Sequence, residues 1–265
     1  MKIALWQTAG VAADVAANLA ALDTTARAAA TAGASLLLCP ECWLGGYNIG
    51  TAVAELAEPF DGPSAQHIAG IAQRHAIAIA YGYAERDTRG ARIFNAVQIL
   101  GADGARLSQY RKTHLFGPAE RAAYEPGDRF TAPFNLGGFS VGLLICYDIE
   151  FPEAARSLAL AGAEVLLVPT ALTDEYQTVP SLLVPARAVE NQIFIAYCNH
   201  AGVENGMRFL GGSCLVGPDG HSVVAAGVGE TLLIAEIDRH TQLAASKIYP
   251  YRSDRRPELY GPLSR

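Results

Sequence analysis

A twelve-residue pattern occurs twice in this chain. Residues 30–41 read ATAGASLLLCPE and residues 159–170 read ALAGAEVLLVPT, with seven of the twelve positions identical. Each copy runs from an Ala-rich stretch, through a glycine, into an apolar run that ends at proline. Alanine favours helix, a glycine just past the last helical residue ends it, and a short Leu/Val run suits a strand buried on both faces. The two copies predict two related α/β halves packed together, with their strand ends meeting at one site. Glu41 in the first copy then stands where Thr170 stands in the second.

The same alternation continues outside the copies. Apolar runs at 3–6, 36–39, 77–81, 97–100, 141–145, 165–168 and 193–197 predict strands. Ala-rich stretches at 13–32 and 153–161 predict helices, and 63–75 and 181–191 are further helix candidates. Asp103-Gly104 and Asp219-Gly220 each join extended segments, as hairpin turns do. The opening run is too short for a signal peptide, and no apolar run approaches the roughly 18–20 residues that span a bilayer. A cytoplasmic protein is therefore expected. With 51% hydrophobic and 17% charged residues the chain has the composition of a folded domain. Its net charge of -6 offers no footprint for nucleic acid or for an anionic membrane.

The cysteines are 39, 42, 146, 198 and 214, an odd number that argues against a disulfide framework. Cys39 and Cys42 form a C-x-x-C with no second pair to complete a zinc site. Cys146 is different. It follows the 141–145 run and precedes Pro152, a residue suited to the first position of a helix. A thiol at such a strand-to-helix junction lies near free N–H groups that favour the thiolate. A thiol nucleophile acting on an acyl group also needs a base and a donor for the oxyanion. Two charged residues at strand ends are candidates: Glu41, after Leu38-Cys39-Pro40, and Lys112, after Tyr110-Arg111.

Three blocks then carry a resemblance. Pro40-Glu41, Tyr110-Arg111-Lys112-Thr113-His114-Leu115-Phe116, and Cys146-Tyr147-Asp148 with Phe151-Pro152-Glu153 resemble the signature blocks of the nitrilase superfamily, the carbon–nitrogen hydrolases. The resemblance runs from about residue 2 to 240. It implies a four-layer α-β-β-α sandwich, a single domain over 1–265, and a homodimer or higher homo-oligomer. The polar, aromatic, Arg-rich tail at 241–265, which includes Tyr249-Pro250-Tyr251-Arg252, would join that contact. It further implies Cys146 as nucleophile, Glu41 as general base, and Lys112 with the Tyr147 N–H as oxyanion donors. A second glutamate is implied near the lysine. Glu120 fits that place, and Glu125 is its neighbour in sequence. No metal and no organic cofactor are implied.

The resemblance also bears on substrate. Nitrilases usually follow the cysteine with Trp-Glu, whereas this chain has Tyr147-Asp148, closer to the amidase and carbamoyl-hydrolase branches and nearest to the stereoselective amidase group. Several subfamilies have arginine where this chain has Glu150; a glutamate facing the pocket would disfavour ω-amides of dicarboxylic acids and suit a neutral or amine-bearing amide. The expected reaction is hydrolysis of a small aliphatic or amino-acid-type amide to acid and ammonia through a thioester. An N-carbamoyl amine or a nitrile is the alternative substrate. A non-catalytic role would predict a broken position among Glu41, Lys112 and Cys146, and none is broken. Tyr47, Phe116, Glu150, Thr170 and Ala171 are candidate substrate contacts, and Trp43 a candidate wall. Asp148 and Arg156 are read as a buried support pair, and His114 as not the base.

Overall fold

The computed structural model describes residues 1–89, 92–248 and 250–264; Tyr249 of the aromatic tail lies outside them. The first half contributes β1 (Lys2–Gln7), α1 (Val15–Thr31), β2 (Leu36–Leu38), α2 (Ala52–Leu56), α3 (Pro63–His75), β3 (Ala78–Arg86), β4 (Ile93–Leu100) and β5 (Arg106–Arg111). After α4 (Gly117–Ala123) the second half contributes β6 (Phe134–Leu136), β7 (Phe139–Leu143), α5 (Pro152–Leu160), β8 (Val165–Thr170), α6 (Val184–Asn191) and β9 (Phe194–Asn199). A small hairpin follows, β10 (Val203–Glu204) and β11 (Met207–Arg208). Then come β12 (Cys214–Val216), β13 (Ser222–Ala225), β14 (Thr231–Glu236) and α7 (Arg239–Ile248).

The two sheets have the same pattern. One is ordered β14-β1-β2-β3-β4-β5 and the other β6-β7-β8-β9-β12-β13. In each, three central strands are parallel and every outer pairing is antiparallel. In each, one helix joins the first parallel pair and another the second: α1 and α3 in the first half, α5 and α6 in the second. The chain exchanges its final sheet strand, because β14 returns to the first half.

Strand alternation builds the layers. Ile3, Leu5, Leu36 and Leu38 face the core shared with the second sheet, while Ala4 and Leu37 face α1 and α3. On the far side, Ala154, Ala155, Leu158 and Ala188 of α5 and α6 cover the second sheet. The result is the expected helix-sheet-sheet-helix sandwich, and burial on both faces explains the unbroken apolar runs.

The repeated dodecapeptide folds the same way twice. Gly33 (φ +84°) and Gly162 (φ +99°) end α1 and α5 in the left-handed region. In both, the glycine N–H and the next N–H reach back into the last helical turn: Gly33 to Ala30 O, Ala34 to Ala29 O, Gly162 to Ala159 O, Ala163 to Leu158 O. This is the double bond pattern of a Schellman cap. The tail begins within a helix that composition did not predict: α7 buries Gln242 and Ala245. Among the described residues, no helix is long and apolar enough to cross a membrane.

Candidate active site

Three strand ends and one helix build the site. Glu41 follows β2 through Pro40, Lys112 follows β5, and Glu120 stands on α4. Cys146 follows β7 and opens a tight turn over Cys146–Glu150. Glu41 and Lys112 are 0% exposed, Glu120 4% and Cys146 6%, so their charges interact with little screening. Lys112 Nζ donates to Glu41 Oε1 at 2.6 Å and to Glu120 Oε1 at 2.7 Å. Asn95 Nδ2 donates to the same Glu41 oxygen at 2.7 Å. Glu41 Oε2 is buried with no hydrogen-bond partner among the described residues. A carboxylate with one oxygen fixed and the other unengaged can accept a proton without rearranging.

Burial pushes the Cys146 thiol well above its ordinary range; Glu41 adds to the rise, while Lys112 and the Ala171 backbone oppose it. The resting group is thus a thiol, which needs a base to become a nucleophile. Burial also raises Glu41, with Lys112 pulling it back and Glu120 pushing it further. Burial works against the Lys112 ammonium, but Glu41, Cys146 and Glu120 outweigh it and hold the lysine well above its usual range.

Cys146 has φ +46°, a left-handed backbone uncommon for a residue with a side chain. Asp148 holds that turn. Its Oδ2 accepts from Ile145 N at 3.0 Å and from Tyr110 OH at 2.9 Å. Its Oδ1 accepts from Thr113 Oγ1 at 2.9 Å and His114 N at 3.0 Å, and lies 2.7 Å from His114 Nδ1. One carboxylate therefore ties the cysteine turn to the segment that carries Lys112. The expected Asp148–Arg156 pair is not formed: every Asp148 bond goes to this segment or its own turn, and Arg156 Nη1 has no hydrogen-bond partner among the described residues. His114 stacks on Phe151 with ring centroids 4.1 Å apart and serves Asp148. The Tyr147 N–H has no protein acceptor among the described residues, as befits the first turn of a helix-like segment.

A cavity of about 170 Å³ opens on Cys146. Of the predicted contacts, Tyr47, Phe116, Glu150 and Ala171 line it, together with Tyr147, Leu172, Thr173, Tyr176 and Met207. Thr170 does not. It is fully buried behind the wall, and its carbonyl accepts the N–H of Glu41 at 3.4 Å and of His200 at 3.3 Å. Trp43 is core, 1% exposed and packed on Trp6 at 5.3 Å. Glu120, not the exposed Glu125, meets the lysine; it also accepts Tyr47 OH at 2.7 Å and Phe116 N at 2.9 Å. A larger cavity, about 580 Å³, adjoins this one across Tyr47, Ala119 and Met207 but does not reach Cys146.

Four contributors went unread in the sequence. Asn95 is a polar residue inside the apolar β4, a visible sign of a buried hydrogen bond. His200 Nε2 lies 2.7 Å from Glu41 O, and burial lowers its pKa, which keeps it neutral. Glu204 Oε1 accepts from the N–H groups of Tyr47 and Asn48 and so fixes the loop that brings Tyr47 to Glu120. Gly82 lets β3 pass beneath Glu41, where an added Cβ would lie 2.4 Å from Cys42 N and 2.6 Å from Pro40 O.

Residues 2–245 match the family described as Carbon-nitrogen hydrolase. The chain is 48% identical to "Hydrolase in pqqF 5'region" of Pseudomonas protegens, covering 100% of this chain and 92% of that protein. It is 40% identical to the (R)-stereoselective amidase of a Pseudomonas species, covering 98% and 93%. Its structure superposes on the crystal structure of an amidase from Nesterenkonia sp. with a TM-score of 0.89, at 36% identity, covering 98% of this chain and 95% of the other. A Glu-to-Gln variant of that amidase shows covalent addition of the acetamide moiety of fluoroacetamide at its active-site cysteine. A family match over nearly the whole chain, with relatives and a fold this similar end to end, makes this protein a member of the carbon–nitrogen hydrolases, enzymes that cleave non-peptide carbon–nitrogen bonds.

Proposed function

We propose that the protein hydrolyses a small aliphatic or amino-acid-type amide to the carboxylic acid and ammonia, through a thioester on Cys146. The observation that carries this reading is the unengaged Glu41 Oε2 in the same buried cluster as Lys112 and the Cys146 thiol. The Sγ proton passes to Glu41 as the S–C bond forms and the carbonyl electron pair moves to oxygen. Lys112 Nζ and the Tyr147 N–H stabilise that oxyanion; one such donor is typically worth about 3–4 kcal/mol. Collapse restores the carbonyl and breaks the C–N bond, and Glu41 returns its proton to the departing ammonia. Water, deprotonated by Glu41, then displaces the thiolate, which recovers a proton as the acid leaves. Glu120 keeps Lys112 charged and placed. The cavity holds on the order of six water volumes, which suits a small acyl group. The (R)-stereoselective and Nesterenkonia amidases support amide over nitrile.

The test compares ammonia release from a short amide, its nitrile and its N-carbamoyl analogue, with intact-mass detection of an acyl adduct. Amide turnover with an adduct on Cys146 is expected. Turnover of the nitrile alone, or a Cys146 that forms no adduct, would overturn the reading. Cys146→Ala should lower kcat by at least about a thousandfold while leaving the fold intact.

A further inference from the structure

Among the described residues that line the Cys146 cavity, Glu150 alone carries a formal charge at neutral pH. The rest of the wall is aromatic, aliphatic or neutral polar: Phe116, Tyr147 and Tyr176 form an edge-to-face row at 5.2 and 5.7 Å beside Leu172 and Met207. Glu150 is half-buried, and its carboxylate has no hydrogen bond or ion pair among the described residues. The cations that could answer it are engaged elsewhere. Lys112 is held between Glu41 and Glu120. Arg187 lies behind the wall, donating to the carbonyls of Ile149 and Glu150 and to Glu190. Arg208, next in sequence to Met207, lies 4.0 Å from Asp174.

A half-buried carboxylate without a partner is costly, and a cation brought by a ligand relieves that cost. The direction of its pKa agrees: burial raises it, against the weaker pull of Lys112 and Arg187. Position follows from the turn. Cys146 and Glu150 are the first and last residues of one five-residue turn, and both line the same cavity. The departing nitrogen must face Glu41 to be protonated, which leaves the Glu150 side for the acyl chain.

We infer that Glu150 is a specificity-determining residue that selects amides bearing an ammonium group on a short acyl chain. This rests on the amide-hydrolase reading above. The experiment uses isosteric amides: 4-aminobutanamide, pentanamide and succinamate, together with the pairs one methylene shorter and longer. The wild-type protein is expected to prefer the ammonium amide over its neutral isostere in kcat/KM by about tenfold or more, and to turn over the anionic amide least. Glu150→Gln should erase that preference, with its folding checked by the melting curve. Glu150→Arg should reverse the order between cation and anion. Equal wild-type efficiency on the ammonium and neutral members of every pair overturns the inference by itself, even if the variants fail to fold. An unchanged ratio in a folded Glu150→Gln overturns it too. Failure to hydrolyse any amide would instead remove the underlying reading, and the inference with it.

Discussion

In the first half, β2 ends at Leu38 and the chain turns through Pro40 to bring Glu41 inward; in the second, β8 runs on through Pro169 to Thr170 in register with β9. The strands are otherwise matched. Leu36 pairs with Ala78 as Val165 pairs with Phe194, so Gly82 of β3 occupies the place of Cys198 in β9. Cys198 has room for a thiol that donates to Leu38 O at 3.2 Å and Trp6 O at 3.4 Å. Gly82 has no such room, because the Pro40–Cys42 backbone fills it. One frame thus yields two ends. Where a strand neighbour lacks a side chain, the chain can cross it and aim a carboxylate at the nucleophile. Where it has one, the strand continues and offers only a carbonyl, the one on Thr170 that accepts the Glu41 N–H.

The largest effect should separate those two ends. Glu41→Gln keeps an acceptor for Lys112 and Asn95 but removes the base, and kcat should fall by at least about 10³-fold with the melting curve little changed. Thr170→Val removes a hydroxyl that bonds to Val168 O at 3.1 Å. It should cost about 1 kcal/mol in urea unfolding and change kcat no more than a few-fold. A comparable kcat loss in both variants would erase the functional asymmetry between the halves.

The next effect tests how the asymmetry is built. Gly82→Ala places a methyl against backbone that cannot swing aside, so Glu41 must move. A shift of about 1 Å at such a centre costs about 10²-fold in rate, and the overpacking a further 1–3 kcal/mol. Cys198→Ala at the matching place should cost about 1–2 kcal/mol and leave kcat within a few-fold. Steady-state kinetics and urea midpoints of the two variants check this. A fully active Gly82→Ala would mean that the crossing does not position Glu41.

Much of this frame was legible because each half repeats a strong local pattern. The Ala-rich helices, the apolar strands and both glycine turns follow from propensity and periodicity, and 63–75 matches α3 end to end. Glu41 and Cys146 stood out at the ends of apolar runs, and Lys112 as a charge at the end of the 107–111 segment. What stayed hidden depends on contacts distant in sequence. Thr170 shares the place of Glu41 in the repeat, yet its strand does not turn, and the reason lies in β9. Trp43 is near Tyr47 in sequence but packs behind the sheet on Trp6. Asp148 has partners mostly in 110–114, and no local rule favours those over Arg156. Glu204 serves the site from a two-residue strand, too short for any periodicity to reveal.

A smaller effect concerns the charge around the first end. Glu41 must be ionised to take the thiol proton, so kcat/KM should fall as pH drops through its pKa, which burial lifts above the ordinary 4.5. The negative charge of Glu120 adds to that rise. Glu120→Gln should therefore move the acid limb to lower pH, even as the maximal rate falls through the loosened lysine. Thr170→Val should leave the limb in place. An upward shift in the Glu120 variant would show that another group sets the limb.

The smallest effect should treat the halves alike. Gly33→Ala and Gly162→Ala each force a side chain into a left-handed helix cap, a strain of about 1–2 kcal/mol. Neither methyl would clash: at Gly33 the nearest heavy atom is Lys2 Nζ at 3.6 Å, and at Gly162 nothing lies within 4 Å. The cost is therefore backbone strain in both. Gly162, at φ +99°, lies further than Gly33, at +84°, from the left-handed well near +57° and should cost slightly more. Both glycines sit where the chain enters β2 or β8, at the opposite end from Glu41 and Thr170, so kcat should hold within twofold. Unfolding free energies from urea titration that differ by more than about 1 kcal/mol would break the equivalence of the two caps. A kcat loss confined to Gly33→Ala would show that β2 transmits strain to Glu41, because only that strand ends at the base.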